Sequence, residues 1–202
     1  SPHAEELKIL IQLLENRLQN KLFIIAPPEV DANTITKLEN LLSSQRVRIL
    51  KISDGNRGLW PSELCLPDET PVLILDTFGQ LAEAYGLAEI AVVGGGFDGQ
   101  LHNVLEPAAL PVATVFGDKT ERAPEAQILL ANNAALSFAK QEMLFQFLRG
   151  WSTLGIDDEE CGNLERKLNT LRQNSASLFA SLPDPSEVVC QALASKDALE
   201  AF

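Results

Sequence analysis

Basic residues are scarce in this chain: 16 Lys and Arg stand against 28 Asp and Glu, a formal net charge of −12. A field of that sign repels a phosphate backbone, so nucleic-acid binding is not expected, and an anionic membrane is an unfavourable surface. Small anions remain open to it, because a few backbone N–H groups and one or two cations suffice locally. Histidine is scarcer still, present only as His3 and His102, which excludes a histidine-rich metal centre; no metal is expected. The three cysteines, Cys65, Cys161 and Cys190, are odd in number, widely spaced and without a C-x-x-C pair. They suggest structural thiols in a reducing compartment, not a zinc pattern, a disulfide framework or a nucleophile. No apolar run reaches membrane-spanning length, and no signal peptide is evident. The opening Ser1-Pro2-His3, without Met and directly before a strong helical pattern, reads as a fragment cut at a domain boundary.

What is present is a folded chain: 46% hydrophobic and 22% charged residues over 202 positions suffice for one domain with a substantial core. Leu7, Leu10, Ile11, Leu14 and Leu18 recur at helical spacing and predict a helix over 4–20. Strands are expected at Lys21–Ala26, Arg46–Ile52, Pro71–Leu75, Ile90–Val93, Val112–Phe116 and Ala134–Phe138. Helices are expected over 31–43 with Asp31 as N-cap, then at Phe78–Tyr85, 103–110, 123–132 and 140–150. Turn chemistry fills 53–58, and 60–70 reads as looser chain. Such alternation implies an α/β fold with a Rossmann-like, doubly wound parallel sheet. After Trp151 the pattern is wholly helical, with a stripe of Leu164, Leu168, Leu171, Leu178 and Leu182, then Pro183 and Pro185 before a last helix at 186–195. The whole, 1–202, reads as one domain: a core over about 1–150 and a helical extension over about 151–202.

In an open parallel sheet, ligands sit beyond the carboxyl ends of the strands. The segment Val93-Gly94-Gly95-Gly96-Phe97-Asp98-Gly99-Gln100-Leu101-His102-Asn103-Val104-Leu105-Glu106-Pro107 lies at such a point. Its three glycines permit close backbone approach, the following helix offers N–H groups to a phosphate, and Glu106 offers an acceptor to sugar hydroxyls. A second reading stands beside this one: Asn103 and Glu106 have capping-box spacing, and the glycines suit a tight strand-to-helix turn. Pro107, lacking an N–H, fits that second reading less well.

The same residues resemble the signature of the Kdo (3-deoxy-manno-octulosonic acid) transferases of lipopolysaccharide synthesis. In that family a glycine-rich loop ends in His-Asn and is followed by Leu-Glu-Pro-Ala-Ala; here it is His102-Asn103-Val104-Leu105-Glu106-Pro107-Ala108-Ala109. Gly117-Asp118-Lys119-Thr120 and Glu125 continue the pattern, and Asp76-Thr77-Phe78-Gly79 resembles the family's Asp-Thr-x-Gly-Glu turn. Ser1-Pro2-His3-Ala4-Glu5-Glu6 resembles its Ser/Thr-His-x-Gly-Glu-Glu segment, one residue shorter. The likeness runs over about 1–150. It implies the C-terminal half of a GT-B glycosyltransferase, which binds the donor CMP-Kdo, acting on the cytoplasmic side of a bacterial inner membrane. The partner N-terminal domain, absent from this chain, would hold the catalytic carboxylate, the lipid A precursor and the membrane contact. This fragment alone would then contain no catalytic residue. By the resemblance, Gly94, Gly95 and Gly96 line the donor cleft, His102 and Asn103 meet phosphate and sugar, and Glu106 meets the ribose. His3 and Thr77 are further candidates, although His3 by itself reads first as a solvent-facing or capping residue.

Several positions depart from the family pattern. Pro28 stands where Arg is frequent, Gln80 where Glu is usual, Pro111 where Gly is, and Arg122-Ala123 where Asn-Phe is common. Lys119 and Arg122 are the candidates to replace the lost cation. The departures keep two alternatives open: a non-catalytic nucleotide-sensing or docking module, and another sugar-nucleotide enzyme such as a UDP-sugar transferase or an epimerase. Elsewhere, Asp157-Asp158-Glu159-Glu160 reads as an acidic helix start, Arg46 and Arg48 as a solvated strand face, and Trp60 and Trp151 as packing residues.

Overall fold

The computed structural model describes residues 3–15, 21–45, 47–55, 70–110, 112–152 and 159–182. In chain order the elements are α1 (Ala4–Glu15), β1 (Phe23–Ile25), α2 (Ala32–Ser43), β2 (Arg48–Lys51), a 3-10 turn (Ile52–Asp54), β3 (Pro71–Ile74) and α3 (Leu81–Leu87). There follow β4 (Ile90–Val93), α4 (Leu105–Ala109), β5 (Ala113–Gly117), α5 (Pro124–Ala131), β6 (Ala135–Phe138), α6 (Gln141–Ser152) and α7 (Glu159–Ser181). Every strand pairing is parallel, as the alternation predicts. The hydrogen-bonded strands form two three-stranded sets, ordered β1-β3-β2 and β4-β5-β6. The central strands β3 and β5 are buried along their whole length; β3 is apolar throughout, and the one polar side chain of β5, Thr114, donates to the Val112 carbonyl.

Helix α1 ties the two sheets together. Its Ile9 and Leu13 pack on Val115, Leu144 and Leu148 around the second sheet. Leu14 joins Ile25, Leu38, Leu42, Val72 and Ile74 around the first. One amphipathic helix thus serves two cores, with its Leu and Ile positions spread over more than one stripe. Between β1 and β4 lies a slot of about 330 Å³, lined by Leu13, Phe23, Ile25, Tyr85, Ile90 and Val92 among others.

Several boundaries differ from expectation for local reasons. Asp31 caps α2 as predicted, accepting from the N–H groups of Asn33 and Thr34 at 2.9 and 3.1 Å. Helix α3 begins at Leu81, not Phe78, because Gly79 has φ +93° and the turn runs through Gln80. Phe78 sits in that turn, 80% exposed. Arg48 is only half-buried on β2. In α7, Leu168 and Leu171 are buried against Ala113, with Phe147 and Trp151 alongside. The next buried position is Ser175, whose hydroxyl donates to the Ala108 carbonyl at 2.6 Å. Leu182 lies past the helix end and is 55% exposed, so the apolar stripe stops short of it.

Trp151 is a packing residue: its ring N–H donates to Glu89 at 2.7 Å, and the Lys21 ammonium stands 4.3 Å from its ring centroid. Arg46, Trp60, Cys65, Pro111, Asp157, Asp158 and the expected helix at 186–195 with Cys190 lie outside the described residues, as do residues 16–20 of the helix expected over 4–20. Among the described residues, no helix is long and apolar enough to cross a membrane.

Candidate functional site

Strand β4 runs straight into the glycine loop. The loop is closed by its own backbone: Gln100 N–H donates to Gly95 O at 2.9 Å, His102 N–H to Gly94 O at 3.0 Å, and Lys119 N–H to Gly96 O at 3.0 Å. Gly95 has φ +84°, and a Cβ there would stand 2.0 Å from the Gln100 carbonyl oxygen. A Cβ on Gly96 would meet the Gly117 backbone nitrogen at 2.5 Å. The close approach that these two glycines permit is therefore made by the chain itself, by Gln100 within the loop at Gly95 and by Gly117 at the end of β5 at Gly96.

The start of α1 is fastened onto this loop. The His3 carbonyl accepts the Leu7 N–H at 3.0 Å, so His3 stands at the N-cap. Glu6, three residues on, reaches back: its Oε2 accepts the His3 N–H at 2.9 Å. Its other oxygen accepts the buried Gly95 N–H at 3.1 Å. Glu6 is only 5% exposed, so both carboxylate oxygens work inside the fold. Alongside, Glu5 holds Lys8 at 3.0 Å and accepts from the Gln141 side chain, and the hydrogen bond to Lys8 lowers its pKa.

His3 also brings the loop's polar residues together. Its Nδ1 lies 2.7 Å from Asp98 Oδ2, and its Nε2 lies 2.8 Å from His102 Nε2. The two rings meet edge to face, centroids 4.8 Å apart at 77°. Hydrogen bonding from His3 holds the Asp98 carboxyl below its usual range. Burial, with the facing His3 ring adding to it, pushes the His102 imidazole down. His3, His102, Asp98, Glu6 and Gly95 thus form one connected group drawn from the start of α1 and the loop after β4.

The rest of the expected set is placed less uniformly. The N-cap of α4 is Val104, whose carbonyl accepts the Ala108 N–H at 3.3 Å, and Asn103, one residue earlier, accepts the Leu105 N–H at 2.9 Å. The capping box is not closed, however: among the described residues Glu106 makes no return bond to the Asn103 N–H. Half-buried Glu106 instead lies near enough to Tyr85 to help raise that phenol, whose pKa is pushed up to about 12, chiefly by burial. Pro107 fits after all. The helix starts at Leu105, so Pro107 falls in the first turn, where backbone N–H groups have no helical acceptor.

The expected phosphate seat on the helix N-terminus must be corrected. Helix α4 has 5 residues, too few for peptide dipoles to accumulate, and its first N–H is already taken by Asn103. Lys119 is exposed on the far side of the Gly96 contact, in a shallow groove with Phe97, Lys140 and Gln141. Arg122 is exposed in the turn before α5. Thr77 donates to the Gln80 side chain at 2.8 Å, while Asp76 accepts from the Ser53 N–H at 2.9 Å and from its hydroxyl. Neither Thr77 nor Arg122 is hydrogen-bonded to the glycine-loop group among the described residues. Sequence reasoning missed Glu6 and Asp98 as members of the site. The signal for Glu6 was the i, i+3 spacing from His3.

Comparison with known proteins follows the same lines. No family model matches the chain. A 3-deoxy-D-manno-octulosonic acid transferase of Rickettsia typhi is 33% identical over 152 residues, 74% of this chain and 31% of the relative. Another, of Chlamydophila psittaci, is 27% identical over 119 residues, 58% of this chain and 25% of the relative. This chain is a relative of the Kdo transferases. The aligned part spans a quarter to a third of the length of these two Kdo transferases. Among solved structures, the C-terminal CMP-Kdo binding domain of WaaA from Acinetobacter baumannii matches with a TM-score of 0.67 at 20% identity, covering 89% of this chain and 86% of that one. That likeness establishes the architecture: a Rossmann-like α/β half of a GT-B fold, with helices following the core.

Proposed function

We propose that the chain is the donor-binding domain of a Kdo transferase, holding CMP-Kdo at the mouth of the glycine loop. The observation that carries this reading is the convergence of two family-like segments. His3 and Glu6 of the first meet Gly95 and His102 of the second across 89 to 99 residues of chain. In this reading the His3–His102 pair faces the donor's phosphate, and Glu106, left outside the helix cap, accepts the ribose hydroxyls. Asn103 and the loop at Gly94–Gly96 border the sugar, and Lys119, Arg122 and Thr77 stand as outer candidates. Residues 1–202 would act as a single nucleotide-sugar-binding domain that needs no metal.

The transfer itself is attack by a lipid hydroxyl on the anomeric carbon of the sugar, with CMP leaving. The catalytic carboxylate, the lipid A precursor and the contact with the bacterial inner membrane belong, in this proposal, to an N-terminal domain. The share falling to this domain is stabilisation of the departing phosphate. Calorimetric titration with CMP, with UMP and AMP as controls, tests the reading. Selective CMP binding, weakened by Glu106→Gln at unchanged melting temperature, is the expected result. Preference for UMP would move the function to another sugar-nucleotide enzyme. Unaltered binding by Glu106→Gln would remove the ribose role.

A further inference from the structure

The arrangement of imidazole nitrogens restricts what His102 can offer a ligand. The Asp98 carboxylate only accepts, so the 2.7 Å contact requires a proton on His3 Nδ1. The 2.8 Å contact between the two Nε2 atoms requires one proton, and only one, between them. These two protons are all that a neutral pair of histidines possesses. His102 Nδ1, which makes no hydrogen bond among the described residues, is then a bare lone pair that repels an anion. It becomes a donor only when the pair takes up a third proton, whichever ring formally carries the charge. Among the described residues, the charged groups around the pair are Asp98 from the loop and Glu5 and Glu6 from α1, with Lys8 held by Glu5; the chain's amino terminus adds a positive charge that acts on His102.

We propose that anion binding at His102 Nδ1 is coupled to uptake of one proton from solvent by the Asp98–His3–His102 chain, with Asp98 and His3 acting as positioning residues that set the His102 tautomer. The proposal rests on the donor-binding reading and names its protonation chemistry: the ligand is a phosphate dianion, and the imidazole pair becomes cationic only as the ligand arrives, which takes the chain with Asp98 from a charge of −1 to neutral. This accounts for how an acidic chain with Pro28 at the end of its first strand can hold a phosphate there.

The test is titration of the chain with CMP at about pH 8, where a phosphate monoester is fully ionised, in buffers of different ionisation enthalpy. Cytidine, lacking the phosphate, is the control. Uptake approaching one proton with CMP, none with cytidine, and about tenfold weaker binding per pH unit above neutrality are expected. Asp98→Asn should reduce the uptake while the chain stays folded. With two histidines in the chain, ¹⁵N shifts identify each ring nitrogen. His102 Nδ1 should change from acceptor to N–H on adding CMP. CMP binding with no proton uptake and no pH dependence overturns the proposal and leaves the donor reading standing. Failure of CMP to bind at any pH overturns the donor reading. Inorganic phosphate then decides the proposal, which falls if His102 Nδ1 stays an acceptor.

Discussion

Replacing Glu6 tests whether the start of α1 is truly clamped to the glycine loop. The carboxylate is 5% exposed and accepts two backbone N–H groups, from His3 at 2.9 Å and from Gly95 at 3.1 Å. Glu6→Ala deletes both bonds and leaves the Gly95 N–H in a buried setting without its protein acceptor. An orphaned buried donor costs about 1–3 kcal/mol, and a bond to an ionised acceptor is worth more than a neutral one, so a loss of about 2–4 kcal/mol is expected. For a chain of this size that corresponds to a melting temperature lower by roughly 5–15 °C. Glu6→Gln is the informative second variant. Its amide oxygen can still accept from one N–H, but its NH₂ then faces the other donor, so about half the loss is expected. Thermal unfolding followed by circular dichroism reads both, with amide hydrogen exchange at Gly95 as the local probe. A Glu6→Ala protein that melts within a degree of the parent, with Gly95 equally protected, would refute the clamp.

The two glycine environments make a matched pair. Gly96→Ala drives a Cβ to 2.5 Å from the Gly117 nitrogen, where only backbone can yield, and should cost about 2–4 kcal/mol. Gly86→Ala, in α3 with nothing within 4 Å, should be neutral or stabilise by about 0.5–1 kcal/mol in chemical denaturation. Leu171→Ala tests whether α7 belongs to the same cooperative domain. Leu171 is 3% exposed against the β5 side of the core, so a loss of about 2–5 kcal/mol in one transition is expected, and separate loss of helix signal would argue for an independent extension. His102 gives a pH signature. Its folded pKa lies below the ordinary imidazole value of about 6.5, so the unfolded chain binds more protons as pH falls. That contribution is complete above about pH 6.5 and is lost as pH drops through the lower folded value. Asp98, lowered from 3.8, adds a loss of the same sign further down. Melting temperature against pH should therefore slope more gently in His102→Asn than in the parent over that window; an unchanged slope would contradict the assignment.

The order of elements was legible because short apolar strands alternate with helical segments along the chain. β3, buried along its length, announced itself as an unbroken apolar run, β5 as one broken only by Thr114, and Asp31 named its own cap. What failed did so where one residue's conformation overrode a pattern. Phe78 and the residues after it have helical spacing, but Gly79 turns left-handed and delays α3 to Leu81. The phosphate seat at 103–110 was read from a helix that proves to be 5 residues long. The glycine loop was found for a partly different reason than the one that holds it: Gly95 and Gly96 make room for Gln100 and Gly117. Nothing local tells that Gly95 needs Glu6, because the partners are 89 residues apart and the contact exists only once α1 has docked.

That docking connects packing to chemistry. Ile9, Leu13 and Leu14 fix α1 against both sheets, and His3 and Glu6 lie within two or three turns of them along the same helix. A helix transmits a tilt at its buried middle to its end. A shift of under an ångström at Leu13 would therefore reach the 2.8 Å contact between His3 and His102, where hydrogen bonding depends steeply on distance and angle. Leu13→Ala should accordingly do two things at once: lower stability as a cavity in the second-sheet core, and loosen the imidazole pair although it touches neither ring. Separate measurements can resolve the two effects, since the His102 ¹⁵N shift reports the pair in the folded protein whatever the melting temperature. If that shift is unchanged while stability falls, the pair is held by the loop alone. If both move, the geometry of the site is set by the helix that spans the two sheets.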